Sequence, residues 1–521
     1  MLSSLLPLRR MMQTLALVLV LSLSTLAQTA SDCTVRVTLL QVNDVYQFAP
    51  VDGGTRGGLA RVMTLRKRIM QESPNTLLLL AGDTISPSVE SITYKGQQMI
   101  DSWNTIGLDL ATFGNHEFDF GPEELIKRIR ESKFQWINAN VVDKKTGKPF
   151  GDTPPFVIRE FAGVKVGLFG IVLPETKVTS RPGPDVEFQD PCEAAQRVVP
   201  QMRAAGAQAI VALTHLSMGE DKRLARCADI DVIIGGHEHT LLESQAGHAP
   251  IFKMTSDARE LGRIDLNINR TTGKLESIDW KVIPVTNEVN DDPQFAVIYH
   301  KYGKLLAELS ERVGHTDVEL DVKSEDGRTR ETNVGDMVAD SFRQWAQADV
   351  GLMNGGSIRA DALIAPGDLT ERDVLSILPY KNPVVKIEVT GAILRAALEH
   401  GVARSAEDVA PGRFPQVSGV RFSFDATRPA GSRIVSLTVG GQPVDEKKIY
   451  TLATTAFIAK DGGDGYTMFK GARYLIGPEK GRIDSNILRD VIASVKAIAP
   501  RTDGRIQRLD TTKGVEQKDC K

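Results

Sequence analysis

Five short stretches in the first half of this 521-residue chain place, just after an apolar run, a side chain able to hold a cation. Asp44 follows "LLQV" in "VNDVY", and Asp83 follows "LLLLAG". Asn115 and His116 sit in "FGNHEFDFG", His215 ends "IVALTH", and His237 and His239 lie in "GGHEHT". Singly, each has an ordinary explanation: an Asp after a strand caps a turn or helix, and a lone His is most often surface or core. Together, carboxylate, amide and imidazole groups recurring after strands in one region make the donor set of a metal centre. Imidazoles with a few carboxylates suit zinc, manganese or iron better than calcium or magnesium. Two ions roughly 3.5–4 Å apart need a shared ligand, for which Asp83 is the candidate. A water between them becomes a hydroxide nucleophile at neutral pH while the ions brace phosphate oxygens. His116 is the candidate acid for the leaving group, and Asp119, three residues on, is spaced to hold its other ring nitrogen. The glycine of "GNHE" suits a sharp turn that exposes these groups.

The elements that must position them follow from periodicity. "VRVTLLQV", "TLLLLAG", "VKVGLFGIV", "AIVALTH" and "VIIGGH" read as buried strands. "RGGLARVMTLRKRIMQ", "PEELIKRIRES" and "CEAAQRVVPQMRAAG" read as helices between them. This predicts a layered α/β domain over 34–285, with its polar groups at strand ends, where open α/β sheets build sites. A long helix over 291–314 is expected to lead into a second, mixed α/β domain over 325–505. There "NVGDMVADSFRQWAQ" and "GAILRAALEHGVA" read as helices, and "VVKIEV", "IVSLTV" and "IYTLATT" as strands. Three glycine-rich turns, "MNGGSIR", "VGGQP" and "DGGDGY", punctuate it. Residues 506–521 read as a tail.

The first thirty residues stand apart. Arg9 and Arg10 precede the apolar stretch Leu15 to Leu26, and small residues follow at Ala27 and Ala30, the order of a secretory signal peptide. The stretch is short for a stable membrane span, so the expectation is an exported protein, periplasmic or extracellular, without a membrane span after cleavage. The remaining roughly 490 residues exceed one core. A formal net charge of −3 gives no basic footprint for a nucleic-acid polymer. The four cysteines, Cys33, Cys192, Cys227 and Cys520, form no C-x-x-C pair; they allow three disulfide connectivities, with Cys192–Cys227 preferred because both lie in the first domain. Oligomeric state is not determined.

With the blocks of both halves in view, the chain resembles the secreted two-domain 5′-nucleotidase family, a calcineurin-like metallophosphoesterase domain followed by a substrate-binding domain. The likeness runs from about 35 to 470, and "GNHEFDFG" and "DGGDGY" carry it most specifically. The resemblance implies one ion on Asp44, Asp83 and His239 and another on Asp83, Asn115, His215 and His237. It also implies that His116 and Asp119 are the catalytic pair. Arg328, Asn354, Arg359, Tyr380, Phe457 and Asp464 match the family's nucleotide pocket: two aromatic rings enclose the base, arginines reach sugar and phosphates, and the acid meets ribose hydroxyls. Stacking contributes roughly 1–3 kcal/mol per base and tolerates different bases, and arginine suits planar anionic groups. The implied activity is phosphate removal from nucleotides, foremost 5′-monophosphates. Hydrolysis of a UDP-sugar or a 2′,3′-cyclic nucleotide is the alternative within that chemistry. A nucleotide-binding or host-interaction protein with a weakened metal site is the alternative outside it.

The sequence departs from the family at Tyr46, where the pattern D-x-H has its histidine. His239 stands where many relatives have Gln or Asn, so one imidazole is lost and another gained around the same ion. Three readings of Tyr46 are open: it lines the pocket, it yields to a water that completes the shell, or it binds as phenolate. A phenol of reference pKa near 10 ionises at neutral pH only beside a strongly acidic metal. The last reading therefore calls for iron at the Asp44/His239 position, whereas zinc or manganese suits the rest. A smaller departure is one extra residue between Phe457 and Asp464, which bears on how Asp464 is presented.

Overall fold

The computed structural model describes residues 33–406 and 411–510; the expected signal peptide lies outside them. Among the described residues no helix is long and apolar enough to cross a membrane. The first half is built on two six-stranded sheets packed face to face. One runs, edge to edge, 275–284, 260–269, 34–42, 76–80, 110–111 and 135–136. The other runs 242–246, 249–253, 232–235, 209–215, 164–172 and 156–161. Strand alternation decides which side chains meet in the middle. Val35, Val37 and Leu39 join Leu77, Val166, Leu168, Val211 and Leu213 between the sheets. Leu40 and Val42 face outward, onto a core they share with helix residues such as Leu59, Val62 and Trp103.

Parallel pairing aligns the ends of these strands. The 34–42 strand pairs in parallel with 76–80, which pairs with 110–111. In the second sheet 209–215 lies parallel to 164–172 and 232–235. Their carboxyl ends share one rim, and Asp44, Asp83, Asn115, His215 and His237 stand on it. Helix starts carry the expected chemistry. The Asp190 carboxylate accepts the Cys192 and Glu193 N–H groups at the start of helix Pro191–Ala204. Ser217 and Glu220 form a capping box on helix Met218–Cys227. A Cys192–Cys227 disulfide ties the two helices together.

The second half has its own cores. Its five-stranded sheet runs 415–418, 350–354, 449–455, 384–390 and 473–476, beside a four-stranded sheet running 442–443, 434–439, 420–424 and 506–508. Three expectations need correction. The connecting helix is shorter than 291–314: a turn at Pro293–Phe295, capped by Asp292, opens helix Ala296–Glu308. Residues Arg312–Thr316 are instead a strand paired with Gly367–Thr370, which brings the start of the second half forward from 325. The packing reason is visible at Gly314, where a Cβ would lie 2.6 Å from Ile492, a fit for extended chain without a side chain. Nor is 506 the start of a tail. Ile506–Arg508 adds a parallel strand to 420–424, held by the Glu331 carboxylate, which accepts the N–H groups of Asp503, Gly504 and Ile506.

Candidate active site

The groups read from the strand ends converge. Asp83 Oδ2 lies 3.1 Å from His215 Nε2 and 3.2 Å from the Tyr46 hydroxyl. Asp44 Oδ1 lies 3.2 Å from both His239 Nε2 and the Tyr46 hydroxyl. One oxygen or nitrogen from each of Asp44, Asp83 and His215 falls within 4.8 Å of the others. The His237 ring meets the His215 ring edge-on at 5.2 Å, and its backbone N–H donates to Asp44 Oδ2. The His116 N–H donates to Asp83 Oδ1 (2.8 Å), and Asn115, the residue before it, lines the same cleft as Asp83.

The backbone is bent to achieve this. Asp44, Asp83, His237 and His239 all have positive φ, between 52° and 91°, a conformation that costs a residue with a Cβ on the order of 1–2 kcal/mol. Such strain gathers at functional sites. Gly114 has a different part from the expected turn. Its φ is not left-handed, but a Cβ there would lie 2.1 Å from Asp83 Oδ1. Glycine at 114 makes room for the carboxylate.

Charge within the cluster is strongly coupled. Burial opposes ionisation of Asp83, yet His215 and His116 bring its pKa down to about 2. Burial works the same way on Asp44, and His239 and His215 hold it well below the ordinary carboxylate range. Burial disfavours charge on His215 as well, but the two aspartates push it up to about 10. His237, buried and beside His215 and Lys253, is held well below the usual imidazole range. Burial and then Asp83 and Asp44 raise the Tyr46 phenol well above its usual value, so without a cation the tyrosine is neutral.

The expected catalytic pair is in contact. His116 Nδ1 lies 2.8 Å from Asp119 Oδ2, and Ser180 donates to the other Asp119 oxygen (2.7 Å). The opposite wall belongs to the second half. Arg328, Asn354, Arg359, Tyr380, Phe457 and Asp464 line one cleft of about 240 Å³ together with Asp83, Asn115, His116, Asp119, His237 and His239. Asp44 and His215 lie beneath its floor, fully buried. Tyr46 opens instead onto a small adjoining cavity of about 30 Å³ shared with Arg359. The Arg359 guanidinium stands 5.0 Å from the Tyr46 ring centroid. The Tyr380 ring lies over His116, 6.0 Å away at 25°. Asn354 donates to Asp464 (2.6 Å). Gly463 sits against the Phe457 ring, where a Cβ would come within 2.3 Å; this contact sets how the "DGGDGY" loop presents Asp464.

Sequence reasoning passed over three supports. The Glu117 carboxylate accepts the N–H groups of Asp83, Thr84 and Gly114, joining the loop of Asp83 to that of Asn115. Burial and the nearby Asp83 raise it to about 7. Its place inside "GNHEFD" was the available signal. Asp257 accepts the Tyr46 and Gln47 N–H groups; nothing in "TSDAR" marks it. Fully buried Lys253 pairs with Asp221 (2.8 Å) and Glu238 and donates to the Gly236 carbonyl (2.9 Å) beneath His237. A lysine closing the apolar "APIFK" strand was its signal.

Comparison with known proteins agrees with this architecture. Residues 37–241 match the calcineurin-like phosphoesterase model, and residues 312–471 match the 5′-nucleotidase C-terminal domain. The crystal structure of the 5′-nucleotidase precursor from Thermus thermophilus superposes with a TM-score of 0.84 at 31% identity, covering 91% of this chain and 99% of that one. A 5′-nucleotidase of Diplobatis ommata is 29% identical over 90% of this chain and 89% of its own length. The trifunctional nucleotide phosphoesterase YfkN of Bacillus subtilis (strain 168) is 29% identical over 91% of this chain, which spans 35% of that longer protein.

Proposed function

The chain belongs to the two-domain 5′-nucleotidase family and is a phosphoric ester hydrolase, and from that premise we propose that it is an exported enzyme releasing phosphate from nucleoside 5′-monophosphates. One observation carries this reading: the two walls of the cleft hold unsatisfied groups of opposite character. On the first-domain side, Asn115 Oδ1 is buried without a hydrogen-bond partner, and His215 Nε2 meets only the Asp83 carboxylate, as an ion pair at 3.1 Å. His215 Nδ1 already meets the Ala81 carbonyl at 2.8 Å, which leaves Nε2 as the nitrogen that a cation would take by displacing its proton. On the second-domain side, the unpartnered atoms include Arg328 Nε, Arg359 Nη2 and the Tyr380 hydroxyl, all donors. Leaving such atoms unsatisfied costs about 1–3 kcal/mol each. Cations below and a phosphate between would relieve both sets.

The donors present fit divalent metal ions. Asp44, Tyr46, Asp83 and His239 would hold one, and Asp83, Asn115, His215 and His237 the other. When bound, such ions activate water and neutralise charge on a transferring phosphoryl group, and zinc or manganese suits this mixture of imidazole and carboxylate. Tyr46 enters the set because its hydroxyl lies 3.0 Å from His239 Nε2 and 3.2 Å from both aspartates. That closeness favours a ligand over a pocket lining and speaks against a decayed site; iron is the metal a phenolate would select. Asp119 orients His116 through Nδ1 so that Nε2, 3.9 Å from Asp83 Oδ2, delivers a proton to the departing O5′. Arg328 and Arg359 grip the phosphate, Asn354 and Asp464 meet the ribose, and Phe457 with Tyr380 flanks the base. The disulfide supports export to an oxidising compartment.

The test is phosphate release from 5′-mononucleotides, UDP-sugars and 2′,3′-cyclic nucleotides by metal-analysed protein. The 5′-monophosphates are expected to turn over fastest. Protein that carries two ions yet releases no phosphate from them would refute the reading.

A further inference from the structure

The two imidazoles nearest the aspartates are oriented in different ways. His215 has Nε2 toward Asp83, and its Nδ1 is fixed by the Ala81 carbonyl of its own domain. His239 has Nε2 toward Asp44 and the Tyr46 hydroxyl, and its Nδ1 faces the carboxylate of Asp361 at 3.5 Å, a residue of the second domain. That separation is an ion-pair distance, and Nδ1 has no closer hydrogen-bond partner. The carboxylate is itself held firmly. Asp361 Oδ1 accepts the Ser324 N–H (2.8 Å), and Oδ2 accepts the Ser256 hydroxyl from the first domain (2.6 Å). Arg259 of the first domain adds a bond to the Asp361 carbonyl (3.0 Å). Asp361 closes a turn in which Ala360 and Asp361 are both left-handed, at φ 76° and 49°. Two successive strained residues indicate that the turn is held by its contacts rather than by its own preference. Arg359, at the head of the same turn, lines the cleft.

A histidine that binds a cation through one nitrogen commonly donates its other N–H to a carboxylate, which fixes tautomer and ring direction. We propose that Asp361 is the positioning residue for His239, so that the second domain completes the cation position around Asp44. This rests on the two-cation reading above. Its consequence is reciprocal: an ion at that position favours the docked arrangement of the domains, and docking tightens that ion by the same factor. The neighbouring position around Asn115, His215 and His237 is built from the first domain alone and lacks this dependence.

The experiment measures ion content by elemental analysis and per-site affinity by chelator competition, following cobalt(II) absorption in the full-length protein. In Asp361→Ala the affinity of one ion falls about 10- to 100-fold, the usual cost of removing such a partner, while the other ion is unmoved. Asp361→Asn, which keeps the shape, moves the same ion in the same direction by less. Ser256→Ala removes one of the bonds that hold Asp361 but leaves the carboxylate beside His239, so the same ion weakens by less than in Asp361→Ala. Equal loss of both ions in Asp361→Ala, equal loss in Ser256→Ala, or no loss in either Asp361 variant would overturn the proposal. Wild-type protein holding fewer than two ions would instead refute the two-cation reading, a failure seen before any variant is made.

Discussion

The two walls of the cleft are made differently. First-domain groups stand where buried parallel strands end, and they press carboxylates against imidazoles within 3.2 Å. Second-domain groups come from a strand end, a short helix and loops scattered between 328 and 464, and several reach the cleft with donors unspent. One wall is a charge cluster that is nearly self-sufficient; the other is a set of open hands. Acids respond accordingly. Asp44 and Asp83, ringed by histidines, are held ionised against burial. Asp484, buried behind the second-domain wall with only N–H groups from Ser485 and Asn382, has its carboxyl pushed up to about 7. Burial alone does not dictate the state of these three acids; the balance between it and the neighbouring charges does.

The largest effect should come from the first wall. His116→Ala is expected to lower kcat for a 5′-mononucleotide about 10²- to 10⁴-fold, the usual range for a lost general acid, with both ions retained. Steady-state kinetics beside elemental analysis checks it, and loss of metal along with rate would mean His116 belongs to the cation cluster rather than above it. On the second wall the expected effect is on binding. Arg359→Ala removes a charged donor that contributes about 1.5–3 kcal/mol, so KM should rise about 10- to 100-fold with a smaller change in kcat. A kcat loss as large as that of His116→Ala would erase the distinction between the walls.

The last effect concerns stability and not turnover. Asp484 has a folded pKa of about 7 against an unfolded value near 4. The native state therefore holds the extra proton between those values, and the stabilising difference is fully present below about pH 4 and lost as pH rises to about 7. Asp484→Asn, neutral throughout, should flatten that decline, an effect on the order of a few kcal/mol. Denaturant titrations from pH 5 to 8 would reveal it; parallel curves for both proteins would mean the carboxyl ionises normally.

Much of the first wall was readable in advance because continuous apolar runs mark strands buried on both faces, and parallel pairing obliges their ends to meet. "LLLLAGD" and "IVALTH" announce both an element and the group at its end. The second wall was readable only by likeness to relatives, since nothing local separates Arg328 or Arg359 from surface arginines. The helix expected over 291–314 was overextended because its apolar spacing continues into "ERVGHT", where pairing with Gly367–Thr370 prevails over helical spacing. The supports at Glu117, Asp257 and Lys253 were missed because their partners are mostly backbone N–H and carbonyl groups, which composition does not display.

Apolar runs thus settled, from the linear order alone, where the main strands and helices of the first domain form and which polar groups stand at their ends, because those preferences act over a few neighbouring residues. Folding decided the rest: that the Tyr46 hydroxyl sits among Asp44, Asp83 and His239, that Gly114 yields room for a carboxylate, and that Asp361 reaches His239 from another domain. These depend on distances between residues far apart in the chain, fixed by packing of whole sheets and not by any local preference.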